Sequence, residues 1–173
     1  MTIRNRTLKA LGFIIALGAT TGATLGAAPA HAALGDGDDH HLVLNTFAYH
    51  FKNADERNDF TPGIGWEYSP TSSFGFHFGT LSDSFGYQAK YAGINYATRR
   101  LFNNRVRLIA GATVLHKQYA KNADPETKIL PLPAIEFTLA ERAVLNVSGS
   151  PAVDFADQKN NAVVWFQLKL GLL

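Results

Sequence analysis

The chain has 173 residues, of which 46% are hydrophobic, with a formal net charge of +2 and no cysteine. The lack of cysteine excludes a disulfide framework. After position 32 no apolar stretch approaches 18 residues, which excludes a membrane-spanning helix from that part of the chain.

Residues 1–32 have the pattern of a cleaved secretory signal peptide. Three basic residues lie within the first nine positions, an apolar run covers 10–17, and Ala30-His31-Ala32 forms a small-residue cleavage motif. A membrane anchor is the alternative, but the apolar run is shorter than the roughly 20 residues that a spanning helix needs. We therefore expect residues 33–173 to be the mature, exported protein.

Removal of the signal peptide changes the charge of the protein. All 14 acidic residues follow Ala32, whereas three of the 16 basic residues precede it, so the mature part carries 13 basic and 14 acidic residues and a net charge of −1. No basic surface remains for a nucleic acid, and we expect no nucleic-acid partner.

The mature part is predicted to be all β. The chain contains 15 glycines, 12 phenylalanines and six tyrosines, and apolar and polar residues alternate over several stretches. Most stretches approach the roughly 9–11 residues of a tilted transmembrane strand. Residues 33–40 form a short periplasmic lead, and residues 41–173 are predicted to form an eight-stranded antiparallel transmembrane β-barrel. The predicted strands are 41–51, 62–69, 73–81, 86–98, 105–117, 128–140, 143–151 and 162–172.

The connections between these strands favour the bacterial outer membrane. Connections 52–61, 117–127 and 152–161 are long and polar, whereas 69–73 and 140–143 are short. Outer-membrane barrels with both termini in the periplasm have long outer loops and short inner turns. We expect a monomer whose partners are membrane lipids.

The alternation within strands predicts which residues face lipid. In the last strand Phe166, Leu168 and Leu170 share one face, and Gln167 and Lys169 share the other. Lipid outside and a polar interior explain this pattern. A soluble lipocalin-type barrel, with its apolar face inward, is the alternative. Further residues predicted to face the interior are Glu67, His77, Arg107 and Glu136, with Phe47, Leu81, Leu130 and Leu132 nearer the outer rim.

Three residues at the outer rim could carry chemistry. His50 ends the first strand, and Asp83-Ser84 lies in the third connection, so all three are predicted at the same end of the barrel. A histidine, a carboxylate and a hydroxyl can together activate a nucleophile. All three are also ordinary rim residues, so this grouping alone is a weak signal.

Prolines in the barrel wall predict an opening between strands. Pro131 and Pro133 lie in the sixth strand and Pro151 ends the seventh. Proline cannot donate a ladder hydrogen bond, and every strand of a closed barrel is central. The three prolines either interrupt the ladder and admit a lipid chain sideways, or simply mark strand ends.

An Asp/His cluster near the mature N-terminus is the only group that resembles a metal site. His40-His41 follows Asp36, Asp38 and Asp39. Its Gly/Asp-rich setting favours a disordered tail instead. No metal-site spacing or nucleotide fingerprint is present, so we expect no metal and no cofactor.

Four segments resemble the outer-membrane lipid A palmitoyltransferases (PagP) and their small PagP-like relatives. Ala48-Tyr49-His50-Phe51 resembles the histidine-bearing end of the family's first strand, and Pro62-Gly63-Ile64-Gly65 its glycine-rich second strand. Leu81-Ser82-Asp83-Ser84-Phe85, with Tyr91-Ala92-Gly93, resembles the Asp-Ser loop and the following strand. Ile129-Leu130-Pro131-Leu132-Pro133, with Pro151, resembles the proline-rich gate. The resemblance covers nearly the whole mature chain, in short motifs.

The resemblance implies an enzyme that moves a palmitoyl chain from a phospholipid to lipid A without metal or cofactor. Its catalytic residues would be His50, Asp83 and Ser84, with His50 as base, Ser84 as the activated hydroxyl and Asp83 polarising or orienting the site. The lateral lipid gate would comprise Pro133 and Pro151.

The sequence also departs from the family pattern. The amphipathic helix before the first strand is absent, and the second gate keeps only Pro62, with Asn45 in place of its partner proline. Asn95 stands where the family sets the floor of the acyl pocket, and an amide there lacks an obvious partner. A non-enzymatic barrel of the OmpX or OmpA transmembrane type is the alternative function.

Overall fold

The computed structural model describes residues 39–51, 54–119, 121–150, 154–155, 158–159 and 162–172. The predicted signal peptide, most of the periplasmic lead and Pro151 lie outside the described residues. Among the described residues, no helix is both long and apolar enough to cross a bilayer.

The described residues form a closed antiparallel sheet. The strands are β1 Asp39–His50, β2 Phe60–Ser69, β3 Phe74–Ser82, β4 Gln88–Ala97, β5 Val106–Lys117, β6 Glu126–Pro131, β7 Ala134–Ala140, β8 Ala143–Ser150, β9 Asp154–Phe155, β10 Gln158–Lys159 and β11 Val163–Gly171. The sheet runs β4-β3-β2-β1-β11-β8-β7-β5-β6, and a further pairing of β4 with β5 closes it into a barrel. A short 3₁₀ turn, Ala54–Glu56, follows β1, and β9 and β10 form a small separate hairpin.

The predicted eight-stranded barrel is confirmed. Seven of the eight strand positions in the barrel are occupied by single strands. The eighth is occupied by β6 and β7, which both pair with β5 and are separated by Leu132 and Pro133. The first strand begins at Asp39, two residues before the predicted start, so the last residues of the predicted lead belong to the barrel. We call the end that carries His50 the loop end and the opposite end, with the short turns, the turn end.

The barrel has a polar interior and an apolar exterior. Phe76 and Phe78 are 46% and 58% exposed, whereas Glu136 and Lys169, which face inward, are both 2% exposed. In a soluble barrel the arrangement is reversed, because exposed aromatic rings are unfavourable in water. The soluble alternative is therefore wrong, and the outward stripes face lipid.

A β-bulge in β1 changes which residues face inward. The register shifts between Asn45 and Phe47 in the ladders to both β2 and β11. The extra residue, Thr46, reverses the alternation that begins at His41, so that Phe47 packs on the exterior beside Phe166. The prediction that Phe47 faces the interior is wrong for this reason.

The turn-end half of the interior is filled by paired charges. Lys169 Nζ lies 2.8 Å from Glu67 Oε1 and 3.2 Å from Glu136 Oε2, and Arg107 lies 2.8 Å from Glu136 Oε1. Each buried charge thus has an oppositely charged partner, which offsets part of its desolvation cost. This ionic cluster closes the barrel at the turn end, as the inward position of these residues predicted.

A layer of neutral polar side chains lies directly above the ionic cluster. Asn146 donates to Gln167 Oε1 at 2.7 Å, Gln167 donates to Asn45 Oδ1 at 2.7 Å, and Asn45 donates to the Tyr91 hydroxyl at 3.1 Å. The four side chains come from four different strands, so the chain of hydrogen bonds crosses the barrel. It separates the charges below from the more apolar space above.

Candidate functional site

His50 and Ser84 meet inside the loop end of the barrel. His50 is the last residue of β1, and Ser84 follows β3 by two positions. The Ser84 Oγ and His50 Nε2 atoms are 2.7 Å apart, and both residues are buried. The first loop holds the serine in place, because the backbone N–H of Asn58 donates to the Ser84 carbonyl at 2.7 Å. A buried serine–histidine hydrogen bond of this length can activate the hydroxyl.

Asp83 shapes the turn that carries Ser84. Its Oδ1 accepts the backbone N–H groups of Phe85 and Tyr87 at 2.9 and 3.0 Å. The turn closes through Gly86, whose φ of +87° favours glycine and whose N–H donates to the Asp83 carbonyl at 3.0 Å. In the described part of the chain neither Asp83 Oδ2 nor His50 Nδ1 has a hydrogen-bond partner. Asp83 therefore orients the turn and does not bond to the imidazole.

A cavity of about 70 Å³ extends from Ser84 into the barrel. Its walls are mainly apolar near the serine, where Leu81, Leu115 and Leu130 contribute, and polar towards Glu67. Ligand pockets usually span roughly 300–1,000 Å³, so this cavity takes only a short acyl segment. A longer chain requires the leucine side chains to move.

Asn95 lines the same cavity on the turn-end side. Its Nδ2 donates to Glu67 Oε2 at 3.1 Å, so the amide belongs to the ionic cluster. The expectation that this amide would lack a partner is wrong, because Glu67 reaches it from two strands away. Asn95 lies at the polar end of the cavity, and its role as the floor of an acyl pocket remains a prediction.

Pro133 lies at the break between β6 and β7 in the barrel wall. The Gly149 N–H donates to the Pro133 carbonyl at 3.0 Å, but proline has no N–H with which to return the bond. Beyond this point β6 is paired with β5 alone among the described strands. An apolar groove of about 350 Å³ lies beside this break and is lined in part by Phe51, Pro131 and Pro133.

Pro62 lies beside a second irregularity of the wall. It is an exposed residue of β2, opposite the bulge in β1 at which the ladder skips Thr46. The Thr46 hydroxyl donates to the Phe166 carbonyl at 2.9 Å. Asn45, which stands in place of the proline expected opposite Pro62, is buried in the polar layer and does not face the bulge from outside. Pro151, the remaining gate residue, lies outside the described residues.

The Asp/His cluster does not assemble in the part that the structure describes. His40 faces outward, where it stacks on Tyr68 and accepts the Trp66 Nε1–H at 3.2 Å, whereas His41 is buried in the interior. Neighbouring residues of a strand point to opposite faces, so the two imidazoles cannot bind one ion. No group of three metal-ligating side chains occurs among the described residues.

Tyr91 lines the cavity, although the sequence pattern predicted no role for it at the site. Its ring lines the cavity, and Gly65 and Gly79, which are paired in register, make room for its hydroxyl. A Cβ atom at either glycine would overlap that hydroxyl. Two glycines on adjacent strands, facing a tyrosine, are a sequence signal that could have revealed this contact.

No protein-family model and no curated protein matches the sequence. The N-terminal β-barrel domain of Pseudomonas aeruginosa OprF has a similar structure, with a TM-score of 0.50 and 9% identity over 79% of this chain and 98% of that domain. This similarity shows the fold. The outer membrane protein Ail of Yersinia pestis aligns with a TM-score of 0.40 and 11% identity over 78% of this chain and 99% of its own.

The protein is a small eight-stranded β-barrel. Its closed ladder and lipid-facing exterior are those of outer-membrane barrels, so it lies in the outer membrane, as predicted. Membership of the lipid A palmitoyltransferase family remains a prediction.

Proposed function

We propose that the protein is an acyltransferase that moves an acyl chain from a phospholipid to lipid A. The observation that carries the proposal is the 2.7 Å contact between Ser84 Oγ and His50 Nε2 at the mouth of an apolar cavity. At the same end, the break between β6 and β7 at Pro133 and the apolar groove beside it support lateral entry of a lipid chain from the bilayer.

The chemistry follows from this pair. His50 Nε2 accepts the Ser84 hydroxyl proton while Oγ attacks the ester carbonyl carbon of the donor lipid. The ester C–O bond then breaks, and the leaving glycerol oxygen takes the proton from His50. A hydroxyl of lipid A attacks the acyl-serine in the same way, and Ser84 recovers its proton as the acyl ester forms.

Asp83 supports this step as a positioning residue. Its carboxylate holds the turn that aims Ser84 at His50, through the two backbone N–H groups of Phe85 and Tyr87. Its charge also interacts with the cations Arg57 and Lys117 at the same end.

Mass spectrometry of lipid A from cells with and without the protein tests the proposal. Wild-type protein is expected to add the mass of one acyl chain, and Ser84→Ala or His50→Ala to lower the modified fraction by about 100-fold or more. Ser72→Ala and His116→Ala change exposed residues away from the cavity and are expected to retain activity. Full modification by Ser84→Ala would rule out the serine mechanism.

A non-enzymatic barrel is the second candidate function, and a specific observation favours it. The ionic cluster of Glu67, Glu136, Arg107 and Lys169 plugs the turn-end half of the interior, as is expected of a structural barrel. If this function is correct, lipid A has the same mass with and without the protein.

A further inference from the structure

Three cations surround the mouth of the cavity beside Ser84. Lys117 lines the cavity together with Asp83 and Ser84. Lys128 lies one strand away, and Arg57 lies in the first loop, next to the Asn58 N–H that holds the Ser84 carbonyl. Arg57 and Lys128 both interact electrostatically with Lys117. The three cations therefore form one positive cluster at the active-site mouth.

Each of these cations lies over an aromatic ring, which does not occupy its N–H groups with a hydrogen-bond acceptor. Lys117 Nζ lies 5.2 Å and Lys128 Nζ 4.0 Å from the centre of the Tyr119 ring, and the Arg57 guanidinium lies 5.0 Å from the centre of the Phe85 ring. A cation on a ring face keeps its N–H groups free for an anion. Burial, together with Glu126, raises the pKa of Tyr119 to about 12, so the phenol stays neutral and does not neutralise the lysines.

The nearby carboxylates offset only part of the positive charge of the cluster. In the described part of the chain Lys117 makes no ion pair within 4.0 Å, and Lys128 Nζ is buried without a hydrogen bond. Lys128 has Glu126 at 3.4 Å, but that side chain is 42% exposed and therefore screened by solvent. Asp83 interacts with both Arg57 and Lys117, and its Oδ1 is already occupied by two backbone N–H groups.

We infer that Arg57, Lys117 and Lys128 form a subsite for the phosphate group of a lipid whose acyl ester lies at Ser84. The inference rests on the proposed function, which brings a phospholipid or lipid A to this mouth. The guanidinium of Arg57 can bind two phosphate oxygens through parallel N–H groups, and the lysines supply point charges. The subsite would hold the headgroup so that the ester, and not the chain end, meets the serine.

The test measures binding and does not depend on acyl transfer. Trp165 lines the cavity and serves as a fluorescence reporter in a Trp66→Phe background, because Trp66 lies on the exterior. Full-length mature protein in neutral detergent is titrated with phosphatidylglycerol, with diacylglycerol bearing the same chains, and with inorganic phosphate. Phosphatidylglycerol is expected to bind about tenfold or more tightly than diacylglycerol, as one charge-assisted contact predicts.

Variants identify the groups responsible. Lys117→Gln with Lys128→Gln is expected to weaken phosphatidylglycerol binding about tenfold or more and to leave diacylglycerol binding unchanged. Lys117→Arg with Lys128→Arg keeps the charge and is expected to bind as the wild type does, which separates loss of charge from loss of fold. Lys90→Gln removes an exposed lysine of β4 as a matched control.

Three outcomes overturn the inference. In the first, the wild type binds phosphatidylglycerol and diacylglycerol equally. In the second, the double glutamine variant binds phosphatidylglycerol with unchanged affinity. In the third, inorganic phosphate binds as tightly as the lipid, which would assign the site to free phosphate. Failure of the proposed function is distinct: a protein that binds phosphatidylglycerol through these lysines but leaves lipid A unmodified keeps the subsite and loses the acyltransferase assignment.

Discussion

At the scale of residues, the loop end combines a short hydrogen bond with a rigid turn. Ser84 is aimed at His50 by a turn in which Asp83 accepts two backbone N–H groups. A carboxylate that accepts such bonds holds the backbone more strongly than a neutral acceptor does. Asp83 therefore positions Ser84, and this role can be separated experimentally from the chemical role of the Ser84–His50 pair.

Asp83→Asn tests this separation. The amide oxygen can still accept the two N–H groups but without the charge, so we expect the initial rate of acyl transfer to fall about tenfold, well short of the loss in Ser84→Ala. The rate is measured on purified protein in mixed micelles of phospholipid and lipid A. Asp124→Asn, which changes an exposed acid of the 117–127 loop, is the control. A loss as large as that of Ser84→Ala would show that Asp83 takes part in the chemistry.

At the scale of elements, the barrel wall formed by β6 and β7 is interrupted at Leu132 and Pro133, and we call this break the seam. Pro133 faces Gly149, receives one bond from it and cannot return the other. Backbone groups without hydrogen bonds are costly in lipid, so the missing N–H of Pro133 weakens the pairing of β7 with β8 at the seam. The proposed lateral entry of a lipid chain would use the groove beside Phe51 and Pro131.

Pro133→Ala is expected to close part of this seam. The restored N–H can donate to the Gly149 carbonyl, which should raise the free energy of unfolding by about 1 kcal/mol and slow acyl transfer from bilayer donors. Urea unfolding in vesicles and transfer assays on the same sample measure both effects. Pro70→Ala, in a turn at the other end, is the matched control. A faster or unchanged transfer rate in the more stable variant would refute the role of the seam.

At the scale of the whole molecule, the turn-end half of the barrel interior contains buried charge pairs where a soluble protein has an apolar core. Lys169 bridges Glu67 and Glu136 across the interior, and Arg107 pairs with Glu136. Loss of one partner leaves a buried charge uncompensated, whereas loss of an oppositely charged pair leaves the charge balanced. Global stability should follow the charge balance of this cluster.

Lys169→Met is therefore expected to lower the free energy of unfolding by about 3–5 kcal/mol. The double variant Lys169→Met with Glu67→Gln should recover most of this loss, because the Arg107–Glu136 pair remains intact. Urea titrations in vesicles measure both variants, with Lys90→Met as an exterior lysine control. A double variant less stable than the single one would contradict the charge-balance explanation.

The sequence by itself determined the architecture and the polarity of the two faces. Strand alternation is a local property with a period of two, so Phe166, Leu168 and Leu170 could be assigned to the lipid face without coordinates. The charged interior followed in the same way, because Glu67, Glu136 and Lys169 alternate with apolar neighbours. Local turn and strand preferences also located nearly every connection.

Only the tertiary structure decided which side chains meet. Uninterrupted alternation from His41 would turn His50 towards lipid, and the bulge at Thr46, set by pairing with both neighbouring strands, brings it inside. Ser84 is held near His50 by the first loop, in which the Asn58 N–H donates to the Ser84 carbonyl. The Asn95 amide donates to Glu67, which lies two strands away. These contacts depend on register and loop path, which are fixed by partners distant in the chain and not by local pattern.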